Sequence, residues 1–228
     1  FFHVTSANIG DIPVTISRTG YTGDLGYELW VPAECAARLW DTLIAGGTPY
    51  GITPAGMLAL DVARIEAGLL LIDVDYVSAQ KASIESQKSS PYELGLGWTV
   101  KLNSDGFVGR SALAAEKDRG PDWQFCGLDI QWDSLERLYG EVGLPPRLPT
   151  AAWRTSTPVY TGGEQIGYAT SGCWSPTLKK YIALAHIEAQ HACMGGEVWL
   201  EVTVEHRRKQ AAAKIVETPF FDPERKRG

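Results

Sequence analysis

Residues 14–31 read VTISRTGYTGDLGYELWV, and the expected organisation of the first half of the chain follows from them. Val14 and Ile16 alternate with polar neighbours, which is the period of a half-buried strand. Residues 27–31 are again strand-like, and residues 19–26 between the two segments are rich in glycine. A glycine-rich turn between two strand segments predicts a hairpin.

Two amphipathic helices are predicted downstream of this hairpin. The first has an apolar face and stops at Gly46 and Gly47, where left-handed backbone geometry costs little. The second has an apolar stripe that faces the core, with Gly68 near its end. On the second helix, Asp61 and Arg64 are three residues apart and can meet on the more polar face. The apolar positions are Leu39, Trp40, Leu43 and Ile44 in the first helix, and Leu58, Val62, Ile65 and Leu69 in the second.

After Lys117 the pattern changes to short strand candidates separated by turn signals, which favours an antiparallel barrel or sandwich. The predicted fold class is therefore α+β. A mixed sheet with helices occupies residues 1–117, and a C-terminal antiparallel β-barrel occupies residues 118–228. Residues 140–149, rich in Pro and Gly, predict an inserted loop in the second unit. The strand candidates are residues 125–130, 158–160, 166–170, 181–187, 198–204 and 211–216.

Composition excludes several classes of function. The 228 residues carry a net charge of −6, whereas nucleic-acid-binding proteins usually concentrate excess Lys and Arg. No apolar run approaches the length of a membrane span. The 4 cysteines are widely spaced, without a CxxC pair or a histidine pattern that completes a zinc site, so we expect reduced thiols and no metal. The first residues do not resemble a secretion signal, and we expect a cytoplasmic location.

Four motifs in order resemble the glycine-cleavage T-protein (aminomethyltransferase) family. Residues 18–28, RTGYTGDLGYE, resemble the family's RTGYTGExGxE segment, and residues 63–68, ARIEAG, resemble its LRLEAG helix. Residues 170–180, TSGCWSPTLKK, resemble TSGxxSPxLKK, and Pro219 with Phe220 matches the closing strand. Four ordered motifs are far more specific than one glycine motif. The resemblance implies a tetrahydrofolate-dependent one-carbon transferase with tetrahydrofolate as its cofactor.

The first motif carries two of the folate-binding residues that the resemblance implies. Glu28 maps onto the family's pterin-recognising glutamate, and a carboxylate can accept two neighbouring pterin N–H groups in parallel. For a glutamate without this motif, a solvent-facing position at a strand edge is the better interpretation. Tyr21 lies on the same turn and can place its ring or hydroxyl beside the ligand, and a core lid is the alternative interpretation.

Two further folate-binding residues are implied downstream. Arg64 maps onto the arginine that the family places at the folate site, where a guanidinium suits either the pterin or the glutamyl part. A structural pairing of Arg64 with Asp61 or Glu66 is the alternative, and both hold if the acid orients the arginine. Trp98 lies where the family often has a tryptophan that lines the folate channel, while a core role is equally compatible with the sequence. We assign residues 170–180 mainly to barrel packing, with Lys179 and Lys180 exposed.

The resemblance also implies a portion that this sequence does not show. Family members run longer upstream, and a catalytic aspartate belongs to that upstream portion, so no catalytic residue is assigned among Asp24, Asp61, Asp73 and Asp75. If the chain is a fragment, residues 1–117 should expose an apolar surface where that portion packs.

The one-carbon donor stays open at the level of the sequence. It is a small molecule or is carrier-bound, and the lipoyl carrier protein of glycine cleavage is one candidate. Residues 69–76 depart from the common family segment and an insertion occupies residues 133–149, so a tetrahydrofolate-dependent demethylase relative is an alternative. A non-catalytic folate-binding regulatory protein is a second alternative.

Overall fold

The computed structural model describes residues 2–104 and 106–224, which form two regions of different architecture. In the N-terminal region, residues 2–119, a three-stranded sheet is followed by three helices. In the barrel region, residues 123–224, six strands form a closed barrel. The N-terminal elements are β1 (Val4–Ile9), β2 (Ile12–Ser17), β3 (Glu28–Trp30), α1 (Ala36–Gly47), α2 (Met57–Glu66) and α3 (Arg110–Arg119). The barrel elements are β4 (Trp123–Ile130), α4 (Trp132–Gly140), β5 (Thr157–Thr161), β6 (Glu164–Ser175), β7 (Lys180–Glu188), β8 (Glu197–Val204) and β9 (Arg207–Val216).

The predicted hairpin is formed by β2 and β3, which pair in antiparallel fashion with Ser17 opposite Glu28. The glycine-rich residues 18–27 are therefore the loop that joins the two strands. On the other side of β2, β1 completes the antiparallel sheet. Ile12 and Val14 from β2 are buried against Leu39 of α1, so α1 covers one face of the sheet as its apolar face predicts.

The second predicted helix, α2, is shorter than the apolar stripe predicted for it, and it packs on the barrel and not on the sheet. It ends at Glu66, and Gly68 then takes a positive φ of 66°, which places Leu69 beyond the helix. Leu58 is 66% exposed, so the prediction that the whole stripe faces the core is wrong. The reason is that the C-terminal half of α2 packs on the barrel, where Ile65 joins a cluster with Ile182 and Leu184.

All six predicted strands form the closed antiparallel barrel, with the order β4-β7-β6-β5-β8-β9 and with β9 paired back to β4. The predicted fold class, a mixed sheet with helices followed by an antiparallel barrel, is confirmed. Inward-facing side chains such as Leu128, Ala185 and Ile215 are at most 1% exposed and form one apolar core. After β9 the chain returns to α2, where the Phe221 amide donates to the Glu66 carbonyl at 2.9 Å.

Part of the segment interpreted as an insertion is a helix that the sequence analysis missed. In α4, Leu135 and Leu138 are buried against the barrel, and the helix leads into the irregular residues 141–156. Trp132 at the start of α4 contacts Trp174 of β6 edge-to-face, with ring centroids 5.4 Å apart. A mostly apolar cavity of about 620 Å³ lies between these tryptophans, α2 and residues 146–151.

The N-terminal region exposes many large apolar side chains. Trp30 and Trp40 are 63% and 54% exposed, and Tyr50 is 90% exposed. Other large apolar side chains of this region that face solvent are Phe2, Val4, Leu25, Tyr27, Ile52, Met57, Leu58, Ile72, Ile84, Trp98, Phe107 and Val108. The predicted domain boundary at residue 117 lies in the last turn of α3. The limit between the two domains stays a prediction.

The cysteines lie in contrasting surroundings. Cys126 and Cys173 are buried in the barrel, Cys35 is half-buried and Cys193 is exposed, and none of the four forms a disulfide. Within residues 2–104 and 106–224, no group of His, Cys, Asp and Glu side chains is arranged to hold a metal ion. None of the helices in the described residues has the length and apolar character needed to cross a membrane.

Candidate functional site

The loop between β2 and β3 carries Tyr21 toward the segment that follows α2. The Tyr21 hydroxyl donates a hydrogen bond to the Leu70 carbonyl, which ties the glycine-rich loop to residues 69–71. Burial raises the pKa of the Tyr21 hydroxyl, and the nearby carboxylates of Asp75 and Asp61 act in the same direction, while the charge of Arg64 opposes them. Tyr21 therefore remains a neutral hydroxyl at physiological pH. The carboxylates that act on it, Asp61 and Asp75, are also the ones that pair with Arg64.

Glu28 lies at the start of β3, and its side chain is exposed. The hydroxyl of Ser17 donates to Glu28 Oε2 at 3.5 Å, and the hydroxyl of Thr19 donates to the same oxygen. Ser17 ends β2 and Thr19 lies at the start of the glycine-rich loop, so the hairpin itself orients the carboxylate. Within the described part of the chain Oε1 accepts no hydrogen bond, which leaves one carboxylate oxygen available to a ligand.

Arg64 is completely buried at the C-terminal end of α2, and it is held by two carboxylates. Its Nε donates to Asp61 Oδ1 at 2.8 Å, and its Nη1 donates to Asp75 Oδ2 at 2.5 Å and to the Leu69 carbonyl at 3.4 Å. The predicted pairing of Arg64 with Asp61 is observed, but the expectation that it lies on the more polar face of the helix is wrong. The barrel covers that face of α2, and the two acids make the burial of the guanidinium possible.

Arg64 Nη2 is left without a partner. It is buried and forms no hydrogen bond to any residue in 2–104 or 106–224. An unpaired N–H group on a buried guanidinium is costly, because it has lost water without gaining an acceptor. Arg64 Nη2 is therefore a strong donor group that has no acceptor in the described chain.

Asp75 joins Arg64 to the barrel. Its Oδ2 accepts from Arg64 Nη1 and from the Leu71 amide at 2.7 Å. Its Oδ1 accepts from the hydroxyls of Thr170 at 2.5 Å and Ser171 at 2.7 Å, which both belong to β6. All of these partners are polar groups of a buried cluster, so the carboxylate is satisfied on both oxygens.

His186 adds a further contact to Asp75 through the main chain. Its Nε2 lies 2.6 Å from the Asp75 carbonyl, and because a carbonyl only accepts, the proton is on Nε2. Burial lowers the pKa of His186, although the hydrogen bond to Asp75 opposes this shift. The neutral ring stacks on Tyr168, with centroids 5.4 Å apart. His186, Tyr168 and Asp75 line a cavity of about 450 Å³ beside the segment 74–89.

A second polar joint connects α2 to the barrel without touching Arg64. Glu66 accepts from the hydroxyls of Ser175 at 2.5 Å and Thr177 at 3.1 Å. The hydroxyl residues of segment 170–180 therefore bind two buried acids of the N-terminal region. Their assignment mainly to barrel packing was incomplete, although Lys179 and Lys180 are exposed as predicted.

Comparisons with known proteins match both regions of the chain. The family described as the GCVT N-terminal domain matches residues 1–104, and the family described as the glycine cleavage T-protein C-terminal barrel domain matches residues 142–222. This chain belongs to the glycine-cleavage T-protein family. Residues 105–141, which include α3, β4 and α4, lie between the two matches.

Individual relatives of this T-protein family chain are aminomethyltransferases. The aminomethyltransferase of Halalkalibacterium halodurans is 36% identical over 221 residues, which cover 97% of this chain and 52% of the relative. That of Symbiobacterium thermophilum is 37% identical over 218 residues, which cover 95% and 50%. The crystal structure of glycine cleavage system aminomethyltransferase T from Bartonella henselae is similar with a TM-score of 0.71 and 25% identity, over 91% of this chain and 50% of that one. The chain spans about half the length of the relatives that it matches.

The structure brings together two of the four residues that the T-protein resemblance implies. Tyr21 and Arg64 both bind carbonyl groups of residues 69–70. Trp98 is 72% exposed on the short helical turn Gly97–Thr99. In the described chain no hydrogen bond or ion pair joins Glu28 or Trp98 to Arg64. The folate roles of all four residues stay predictions.

Asp75, Thr170, Ser171 and His186 are the residues of this site that the sequence analysis did not identify. Asp75 lies more than ninety positions from Thr170 and Ser171, so no local spacing indicates their contact. One signal was present, because Asp75 lies shortly after the apolar residues 69–72.

Proposed function

We propose that this chain is the folate-binding part of a tetrahydrofolate-dependent aminomethyltransferase of the T-protein family. Family membership over both regions carries this proposal, since residues 1–104 and 142–222 match the two domains in order. The available acceptor on Glu28 and the unpaired donor on Arg64 support it, because a pterin ring presents both N–H donors and a carbonyl acceptor. The transferred group and its donor, an aminomethyl group on a lipoyl carrier protein, belong to the same proposal, as does a cytoplasmic location.

The residues of the chain have complementary roles in this proposal. Tetrahydrofolate supplies the nitrogen that accepts the carbon unit. Glu28 accepts pterin N–H groups, Arg64 donates through Nη2, and Tyr21 packs beside the ring. Catalysis then draws on the positioning of two reactants, which avoids the entropic cost of bringing them together. Asp61 and Asp75 are engaged with Arg64, and Asp73 is paired with Lys81, so these acids have structural partners and receive no catalytic role.

Titration with tetrahydrofolate tests this function. The protein should bind the cofactor in a calorimetric experiment, and Glu28→Gln should weaken binding roughly ten- to hundred-fold, as expected for the loss of one charge-assisted interaction. Folding should be unaffected, because the glutamate is exposed. A matched control is Glu197→Gln, which changes an exposed glutamate at the start of β8.

The two variants separate the outcomes clearly. Glu197→Gln should bind tetrahydrofolate as tightly as the unmodified protein does. Unchanged affinity in Glu28→Gln would reject the assignment of Glu28, and an absence of binding by the unmodified protein would reject the function.

A further inference from the structure

Some N–H donors of Arg64 have protein partners and others have none in the described chain. A guanidinium carries five N–H donors in a fixed plane. The donors on Nε and Nη1 bind Asp61, Asp75 and the Leu69 carbonyl, and those on Nη2 bind nothing in the described chain. Because the group is planar, fixing Nε and Nη1 also fixes the direction in which Nη2 points.

The charge of Arg64 is already balanced by its surroundings. Two buried carboxylates, Asp61 and Asp75, face one guanidinium, and Arg154 adds a second positive charge at Asp61 Oδ2, at 2.9 Å. The side chain of Arg154 is 49% exposed, so its charge is partly screened by solvent. Little net positive charge therefore remains at Arg64 to attract an anion. What the surrounding contacts fix is the direction in which the Arg64 guanidinium points.

Asp75 is the residue that couples this direction to the barrel. Its two oxygens separate the partners, with Arg64 Nη1 and the Leu71 amide on Oδ2, and with the hydroxyls of Thr170 and Ser171 on Oδ1. The hydroxyls belong to a barrel strand, whereas Arg64 belongs to a helix of the N-terminal region. The carboxylate therefore transmits the position of β6 to the guanidinium.

We propose that Asp75, held by Thr170 and Ser171, is a positioning residue that aims Arg64 Nη2 at an uncharged acceptor of the bound tetrahydrofolate. This inference rests on the proposed function and makes it more specific, since it assigns Arg64 to a ring carbonyl rather than to a carboxylate tail. The barrel then contributes to folate binding through hydrogen bonds that never touch the ligand.

The Asp75→Asn variant distinguishes two possible roles of Arg64. A role through the direction of its N–H groups and a role through its charge predict different changes in tetrahydrofolate affinity. The amide has one acceptor oxygen where the carboxylate has two, so it cannot accept from Arg64 and from the β6 hydroxyls at the same time. The substitution also leaves Arg64 with a larger net positive charge. If direction decides, tetrahydrofolate affinity should fall roughly ten-fold. If charge attraction to an anionic tail decides, affinity should stay the same or rise.

Glu66→Gln is the matched control, because Glu66 is another buried acid that binds barrel hydroxyls at the same junction but forms no hydrogen bond or ion pair with Arg64. Its melting temperature should fall, as that of Asp75→Asn should, while its folate affinity stays within about two-fold of the original. Ser171→Ala is the milder companion. It removes one hydroxyl from Asp75 Oδ1 and should weaken folate binding several-fold, so it decides the question if Asp75→Asn does not fold.

A second readout does not depend on folate. Nitrogen-15 NMR of the Arg64 side chain should show slowed rotation of its Nη groups in the unmodified protein, and faster rotation in Asp75→Asn but not in Glu66→Gln. The proposal is overturned if Asp75→Asn and Ser171→Ala, once folded, bind tetrahydrofolate at the original affinity or tighter. It is also overturned if Glu66→Gln loses as much affinity as Asp75→Asn. An unmodified protein that shows slowed rotation and no folate binding would instead reject the proposed function, and the folate role of Asp75 with it.

Discussion

The barrel region and the N-terminal region bury apolar side chains to very different extents. In the barrel, six strands close on one another, so inward-facing residues such as Leu128 and Leu200 are enclosed on every side. In the N-terminal region, one face of a three-stranded sheet packs on α1, and most of the exposed large apolar side chains of the described chain belong to this region. The difference indicates that the barrel is the more completely packed region, and that the N-terminal region joins it through the apolar cluster around Ile65 and through the buried acids Glu66 and Asp75.

The comparison would be broken most directly by equal losses in a matched pair of core substitutions. Leu128→Ala in the barrel should lower the free energy of unfolding by about 3–5 kcal/mol, because the closed barrel cannot collapse around the cavity. Leu39→Ala in the small cluster beside the sheet should cost about 2 kcal/mol, since its surroundings can relax. Urea unfolding of both variants gives the two values, and equal losses would show that the regions are packed alike.

Substitutions of two glycines test the same difference between the two regions, with smaller expected losses of stability. A Cβ on Gly167 of β6 would lie 2.2 Å from the main-chain oxygen of His186, which the neighbouring strand holds in place. A Cβ on Gly47 would lie 2.7 Å from the Cβ of Ile52, so the main chain at Ile52 must shift; this residue is 45% exposed and does not belong to a paired strand. We expect Gly167→Ala to cost about 1–3 kcal/mol and Gly47→Ala less than about 1 kcal/mol. Thermal melts of the two variants check this order, and a larger loss for Gly47→Ala would reverse it.

Acid should act on the barrel through His186, and this is the smallest of the three effects. Burial lowers the pKa of His186 below its ordinary 6.5, so under mildly acidic conditions the unfolded chain binds a proton that the folded chain excludes. Stability should therefore fall as the pH drops below about 6.5, by at most about 1.4 kcal/mol per pH unit from this residue. The N-terminal region has no buried histidine among its described residues.

The measurement for this last effect is urea unfolding at pH 7.5 and pH 5.5. His186→Gln should show a smaller loss between the two conditions than the unmodified protein shows. An identical loss in both proteins would assign the acid sensitivity to other groups.

The barrel strands and the helices were predictable because their side chains follow local periods. The strand candidates at 181–187 and 211–216, for example, lie within β7 and β9. The missed helix α4 shows the limit of composition, since the glycines and prolines at 140–149 drew the preceding helical spacing of Leu135 and Leu138 into a loop interpretation. The helical spacing of Leu135 and Leu138 was present in the sequence, but the adjacent glycines and prolines masked it.

The candidate site was predictable only where its contacts are close in the sequence. The pairing of Arg64 with Asp61 follows from their spacing of three on one helix, and it is observed. The contacts of Asp75 with Thr170 and Ser171 depend on how the barrel packs against α2, and no period in the sequence reports this. For the same reason, the burial of Arg64 could not be distinguished from a position on a solvent-exposed polar face.

The rates at which the free cysteines react with an alkylating reagent can report opening of the barrel. Burial raises the pKa of both Cys126 and Cys173 to about 12, and the nearby Glu66 adds to the shift of Cys173. At neutral pH these thiols contain almost no thiolate, which is the form that reacts with alkylating reagents. Alkylation of Cys126, which lies in the barrel core, must therefore wait until the barrel opens, whereas Cys193 is exposed and accessible from the start. Cys173 lines the apolar cavity beside α2, so its alkylation requires only that this cavity admits the reagent. The rate at which Cys126 is modified reports how often the barrel opens in solution.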